Sequence, residues 1–251
     1  MLEEPSPPPL PEPLPAPPTP WGPLATSGLA LAVFVVYGVL QGIVVFLFPG
    51  LLKSDSFGLA FTVTTLVSAP LGVLLLLRFA SLRRGLPVAD YLGLHLPTAR
   101  QALVSLALLA VFNLSYDQLT RLLKRPLVPD FMVGAYRTAH GLPGLYLAVI
   151  VAAPVFEELL FRGFLLPGLC RLPGLRPTPG AVVAALLSSL AFALPHLQYD
   201  LVDMSAVFVL GLLFAGVRLK TGSTLLTICL HAITNLIATL QVAWVLAHPA
   251  G

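Results

Sequence analysis

PVFEELLFRGFL, residues 154–165, places two glutamates and an arginine inside a run of Leu, Phe and Val. Beyond position 12, Glu157 and Glu158 are the only glutamates in the 251-residue chain. A charge at the centre of a bilayer costs about 2.5–3.5 kcal/mol on insertion scales, and such residues usually face the interior of a helix bundle and carry function. The stretch therefore indicates both a membrane-spanning helix and the place of the chemistry.

The composition of the chain supports a membrane location. It is 57% hydrophobic and 10% charged, with a mean hydropathy of +0.91, whereas a soluble domain carries about 25% charged residues. Apolar runs of 18 or more residues recur, and each is long enough to cross a bilayer. We predict an all-α polytopic membrane helix bundle with about seven transmembrane helices. The net charge of +3 is small and scattered, so no nucleic-acid partner is expected.

Seven spans and two notable loops organise the chain. Residues 81–100 form a basic loop, and residues 124–141 read as a loop with a short interfacial helix. We expect a transmembrane domain over 24–247, with a catalytic core over about 143–240. The predicted spans are 24–48, 57–79, 101–122, 143–169, 180–195, 202–218 and 222–247.

The N-terminal segment differs from the rest. Eleven of residues 1–23 are Pro, and none is Lys or Arg, so we expect an extended, disordered tail. With the N-terminus inside, eight loop arginines and lysines lie on the inner side and five on the outer side. Because positive charge favours the cytoplasmic side, we expect a cytoplasmic N-terminus and a multi-pass location in a bacterial cytoplasmic membrane.

Seven strongly polar or titratable residues fall within spans four to seven. One of them, Asp203, sits at the mouth of span six, where we expect it to reach water. Helical spacing relates several of the others, because residues four apart share one face of a helix. The seven residues are Glu157, Glu158, Arg162, His196, Asp203, His231 and Asn235.

The adjacent glutamates are predicted to differ in role. Glu158 and Arg162 are four residues apart with the acid first, which is the favourable order for an ion pair. Glu157 points about 100° away from Glu158, because each residue turns an α-helix by that angle. Glu157 is therefore expected to be the free carboxylate. His231 and Asn235 share one face of span seven, while His196 follows Pro195 at the end of span five.

Two hydrolytic chemistries can use this set, and they stay open here. Glu157 and His196 can hold and deprotonate a water, while His231 and Asn235 donate hydrogen bonds to an oxyanion. Alternatively, Glu157, His196 and His231 can ligate a divalent metal such as Zn²⁺, which accepts N and O ligands and keeps one position for water. Both predict hydrolysis of a carbonyl compound, most simply a peptide bond. HExxH, the motif of another class of zinc proteases, is absent.

Three motifs carry a family resemblance. EELLFR (157–162) matches EExxxR, FALPH (192–196) matches FxxxH, and HAITN (231–235) matches HxxxN. In this order and spacing they resemble the CPBP family, which includes the type II CAAX prenyl proteases and the bacterial Abi, or bacteriocin-processing, membrane proteins. The resemblance covers roughly residues 100–247.

The resemblance implies a CAAX-type intramembrane endopeptidase that cleaves a peptide or membrane-protein substrate in the lipid bilayer. It implies that Glu157 is the catalytic glutamate, that His196 helps to bind the water, and that His231 and Asn235 stabilise the oxyanion. Glu158 and Arg162 then support the site, and Phe192 packs beside it. The family is named as metalloendopeptidases, yet a metal-independent glutamate mechanism is also argued for it, so a zinc cofactor and no cofactor both stay open. The alternative function is a non-catalytic bacteriocin immunity or scaffold protein.

Overall fold

The chain is an integral multi-pass membrane protein. The computed structural model describes residues 18–248, and six helices in this range are long and apolar enough to cross a membrane. The predicted all-α bundle is confirmed, since the described residues contain no strand. The predicted disorder of residues 1–23 falls mainly on residues 1–17, which lie outside the described residues.

The helices lie within three residues of the predicted spans. The helix at the fifth predicted span, α7, has 17 residues, which is fewer than each of the six others. The basic loop 81–100 contains a short helix, α3, which the sequence reasoning missed, whereas the short helix α5 was expected. In chain order the helices are α1 (Pro23–Leu47), α2 (Phe57–Ser81), α3 (Val88–Leu92), α4 (Ala99–Leu122), α5 (Asp130–Arg137), α6 (Leu142–Leu169), α7 (Pro177–Ala193), α8 (Leu201–Thr221) and α9 (Thr224–Ala247).

Local sequence signals set several helix ends. Thr98 and Gln101 form a capping box at the start of α4. The Asp200 side chain accepts hydrogen bonds from the first turn of α8, and Ser223 does the same for α9. Gly222 ends α8 with a φ of 71°, a conformation that favours glycine. Only Gly222 and Ser223 separate the end of α8 from the start of α9, so the two helices form an antiparallel pair.

Helix α6, which holds the opening motif, is the central element of the bundle. It packs against α1, α2, α3, α7, α8 and α9, and it is the most buried of the six spanning helices. One buried apolar cluster joins it to α1, α2 and α3, with Phe156 and Phe164 at its centre. A second cluster joins α4, α8 and α9 around Phe214. Helix α4 is the least buried span and turns most of its leucines outward, as a lipid-facing helix does.

Two π-helical stretches interrupt α6, over Leu147–Ala152 and Leu159–Leu165. Such stretches are rare and often occur at functional sites. In the first, the backbone N–H of Ala153 bonds to the carbonyl of Ala148, five residues back. The next donor in this register would be residue 154, which is proline and has no N–H. The carbonyl of Val149 is therefore left for a partner outside the helix.

Helix α5 is held against the start of α2 by a close backbone approach. The N–H of Gly58 donates to Thr138 Oγ1 at 2.7 Å, and the N–H of Leu59 donates to the Thr138 carbonyl at 3.0 Å. A Cβ atom on Gly58 would collide with the backbone carbonyl of Ala135. Only glycine therefore allows α5 to sit this close to α2.

We expect Gly58→Val to lower the free energy of unfolding by about 1–3 kcal/mol, because the added atoms push α5 away from α2. The measurement is equilibrium unfolding of the purified chain in detergent, together with the rate of tryptic cleavage at Arg137. Gly134→Ala is the matched control, because Gly134 lies in α5 and has open space around it. Equal stability of the Gly58→Val variant and the wild type would contradict this account of how α5 is held.

Candidate active site

The pair Glu158–Arg162 is fully buried at the centre of the bundle. Arg162 Nη1 donates to Glu158 Oε1 at 2.9 Å, as the spacing predicts, and both side chains have 0% exposure. Arg162 Nη2 also donates to the Gly211 carbonyl of α8 at 3.1 Å. The guanidinium carbon lies 4.2 Å from the ring centre of Phe192 and 5.5 Å from that of Phe214. Phe192 thus contacts the arginine directly, which adds a cation–π attraction to packing.

His231 stands between the two glutamates. Its Nδ1 lies 3.0 Å from Glu158 Oε1, and its Nε2 lies 3.8 Å from Glu157 Oε2. Since a carboxylate only accepts hydrogen bonds, Nδ1 is the donor to Glu158. Glu158 therefore orients both Arg162 and His231. The sequence reasoning missed the Glu158–His231 contact, because it joins residues on different helices.

Glu157 differs from its neighbour in exposure. Its side chain is 22% exposed, whereas that of Glu158 is 0% exposed. Glu157 lines a cavity, while Glu158 and Arg162 lie behind the wall of that cavity. The roughly 100° turn between consecutive helix residues separates the two carboxylates in this way. One glutamate holds the structure together, and the other is available to a ligand.

His196 is fixed by the aromatic residues around it. Its Nδ1 donates to the Phe192 carbonyl at 2.9 Å, so the neutral ring keeps an unprotonated Nε2 that can accept a hydrogen bond. The ring lies between Phe192, at 5.2 Å between centres, and Tyr199, at 6.0 Å and 15° between planes. Burial, and then the charges of Asp203 and Glu157, raises the pKa of Tyr199 to about 12. Tyr199 was missed from the sequence, although an aromatic three residues after His196 was a usable signal.

Asn235 connects α9 to the π-helical part of α6. Its Nδ2 donates to the free Val149 carbonyl at 2.8 Å. Pro154 of the opening motif therefore creates the acceptor that Asn235 fills. An amide nitrogen carries two hydrogens, so one remains for another acceptor.

A single cavity brings the four predicted catalytic residues together. Its volume is about 570 Å³, and Glu157, His196, His231 and Asn235 all line it. The rest of the wall is mostly apolar and aromatic and comes from α1, α2, α4, α5, α8 and the loop after α7. Helix α5 covers the cavity on the side where α2 begins and α4 ends.

The three predicted metal ligands do not form a metal site as placed. Within residues 18–248, no group of three His, Cys, Asp or Glu side chains lies close enough to hold a metal ion. His231 Nδ1 and His196 Nδ1 face Glu158 and a backbone carbonyl, respectively. These contacts leave Nε2 of each ring available to a water or a metal, and it is the spacing of the three side chains that does not form a metal site as placed. No step below uses a metal.

An ion-paired cluster closes one rim of the cavity. Arg125, in the loop after α4, lies 2.5 Å from Asp200 Oδ2 and 3.1 Å from Asp203 Oδ1. The Tyr116 hydroxyl donates to Asp203 at 2.5 Å. The expectation that Asp203 reaches water is wrong, since it is only 8% exposed. The reason is that Arg125 folds back from its loop and covers the carboxylate.

Comparisons with known proteins agree with the motifs. Residues 139–237 match the family described as type II CAAX prenyl endopeptidase Rce1-like. This match confirms the predicted CPBP resemblance and covers all three motifs. An uncharacterized 24.3 kDa protein of Escherichia coli is 34% identical over 86 residues, which are 34% of this chain and 38% of that protein. The matched part thus spans under half the length of that curated relative. No solved structure matches the chain.

We expect Glu158→Gln to cost about 3–5 kcal/mol of stability, because it leaves the Arg162 charge buried without its partner. The double variant Glu158→Leu with Arg162→Met removes both charges and should recover most of that stability, since apolar replacement of a buried pair is often neutral. Equilibrium unfolding in detergent measures both. A stable single variant would contradict the assigned role of the pair.

The Arg125–Asp200 contact predicts a pH dependence at the rim. The hydrogen bond from Arg125 holds the pKa of Asp200 below its ordinary value. The stabilisation is therefore present at neutral pH and disappears as the pH falls below about 4. Asp200→Asn keeps a capping side chain but loses the charge. The difference in Tm between wild type and Asp200→Asn should shrink between pH 6 and pH 3, and a constant difference would contradict the prediction.

Proposed function

We propose that the chain is an intramembrane endopeptidase that hydrolyses a peptide bond of a membrane-associated protein or peptide. The observation that carries the proposal is the pair of neighbouring glutamates. Glu158 is fully buried and bonded to Arg162 and His231, while Glu157 faces the cavity beside the same histidine. The match of residues 139–237 to an endopeptidase family supports this assignment.

Glu157 is the general base in the proposed reaction. A water held by the Glu157 carboxylate and by Nε2 of His196 attacks the carbonyl carbon of the substrate. Its proton passes to Glu157 as the new C–O bond forms. When the C–N bond breaks, Glu157 returns the proton to the leaving amine. Atoms and charge balance without another reactant.

His231 and Asn235 are the proposed donors to the tetrahedral oxyanion. Because Nδ1 already donates to Glu158, His231 donates to the oxyanion as an imidazolium, through the second N–H on the side of the ring that faces Glu157. Asn235 contributes the amide hydrogen that does not bond to Val149. Donors fixed in advance by Glu158 and by the π-helical carbonyl do not need to reorganise during the reaction, which is the basis of this kind of stabilisation.

We expect Glu157→Gln to lower hydrolysis at least about 100-fold, since the amide keeps the shape of the side chain and loses its basicity. The measurement is mass spectrometry of protein termini in membranes of a deletion strain that carries either the wild type or the variant. Termini that appear only with the wild type identify the substrates. His231→Ala should give nearly the same loss.

Asp130→Asn is the matched control, because it also removes one carboxylate, and Asp130 is exposed at the start of α5 and does not line the cavity. Glu157→Gln and Asp130→Asn should show the wild-type Tm in detergent, whereas His231→Ala should lower it, because it removes the hydrogen bond to the buried Glu158. If wild type and Glu157→Gln restore the phenotype of the deletion strain with identical termini, the endopeptidase proposal is wrong. A binding role, as in an immunity or scaffold protein, would then replace it.

A further inference from the structure

The polar residues of the cavity wall are mostly accounted for by partners inside the protein. His231 donates to Glu158, His196 to the Phe192 carbonyl, and Asn235 to the Val149 carbonyl. The carboxylate of Asp203 is neutralised by Arg125. Besides Glu157, the proposed base, one carboxylate of the wall remains to be explained.

That carboxylate belongs to Asp117, near the end of α4. Its two oxygens accept hydrogen bonds from Gln241 Nε2 of α9, at 3.3 and 3.2 Å. Gln241 is neutral, and Asp117 forms no salt bridge with any Lys, Arg or His of the described residues. A carboxylate in a largely apolar cavity is costly to desolvate unless a cation joins it. Gln241 holds the carboxylate in place without supplying that cation.

We propose that Asp117 is a substrate-binding residue that pairs with a basic side chain of the peptide to be cleaved. This inference rests on the proposed endopeptidase function and adds the substrate class to it. The substrate is then an apolar segment with a Lys or Arg near the cleavage site. Asp117 and Gln241 both lie outside residues 139–237, so this subsite is a feature of the chain beyond the family match.

The distance between Asn235 and Gln241 along α9 predicts the position of the basic residue in the substrate. Gln241 follows Asn235 by six residues, which is about 9 Å along a helix. An extended peptide advances about 3.3–3.6 Å per residue. The side chain that meets Asp117 therefore belongs to a residue about three positions from the cleaved bond.

The same placement disfavours a free carboxyl end at this position. A substrate cleaved three residues before its C-terminus would bring its terminal carboxylate close to Asp117 if it ran in this direction. Among the described residues that line the cavity, none is Lys or Arg, so nothing on the wall would compensate the repulsion. The cavity is therefore better suited to cleavage within a basic, apolar segment.

The test is cleavage-site profiling with a peptide library made from a membrane-protein digest and the full-length chain in proteoliposomes. Wild type should cut peptides with Lys or Arg about three positions from the cleaved bond. Asp117→Asn should lower kcat/KM for these peptides about tenfold or more and leave neutral peptides unchanged. Asp117→Lys should move the preference to Asp or Glu. Asp130→Asn, outside the cavity, should keep the wild-type profile.

The experiment distinguishes a failure of the Asp117 subsite from a failure of the endopeptidase proposal. Identical profiles for wild type and Asp117→Asn would overturn the subsite. A uniform fall across basic and neutral peptides would also overturn it, because Asp117 would then act on the structure and not on the substrate charge. If wild type cuts no more than Glu157→Gln, the endopeptidase proposal itself is wrong, and the subsite falls with it.

Discussion

The buried contact between Glu158 and Arg162 is the constraint on which the rest of the site depends. Two charges without exposure to water are costly unless they are paired and hydrogen-bonded, and here the bonds reach two other helices. Arg162 bonds to the carbonyl of Gly211 on α8, and Glu158 accepts from His231 on α9. A Cβ atom on Gly211 would lie 3.3 Å from Arg162 Nη2, so glycine allows this approach. The pair thus fixes α6, α8 and α9 relative to one another.

This arrangement explains why two glutamates are adjacent. The side chains that contact a reactive carboxylate have to be held rigidly, yet the carboxylate itself has to reach a ligand. Glu158 supplies the rigidity by orienting His231, and the helix turn leaves Glu157 at the cavity wall. The π-helical register before Pro154 contributes in the same way, because it provides the carbonyl that holds Asn235. The π-helical stretch and the buried Glu158 therefore both fix the positions of side chains that line the cavity.

Much of the fold followed from apolar periodicity and length, and the Glu158–Arg162 pair followed from spacing on one helix. The contacts between helices did not. The sequence contains no local sign that Glu158 meets His231 or that Arg125 returns to cover Asp203, since both pairs depend on tertiary packing. The π-helical register is also a packing outcome, although a proline in the middle of a span was a sign of freed backbone groups. Short α3 was missed because its five residues show no clear period.

The segment that leads into α1 is attached to the end of the bundle away from α5. Trp21 donates from its indole nitrogen to the Phe79 carbonyl, and Arg83 and Arg171 donate to carbonyls of residues 19 and 20. Helix α5, which covers the cavity, lies at the opposite end of the bundle, where α2 begins. The chain therefore enters the bundle at one end, and the cavity that holds Glu157 is covered by α5 at the other end. If the N-terminal side is cytoplasmic, as the loop charges predict, α5 and the cavity end that it covers face the outer compartment.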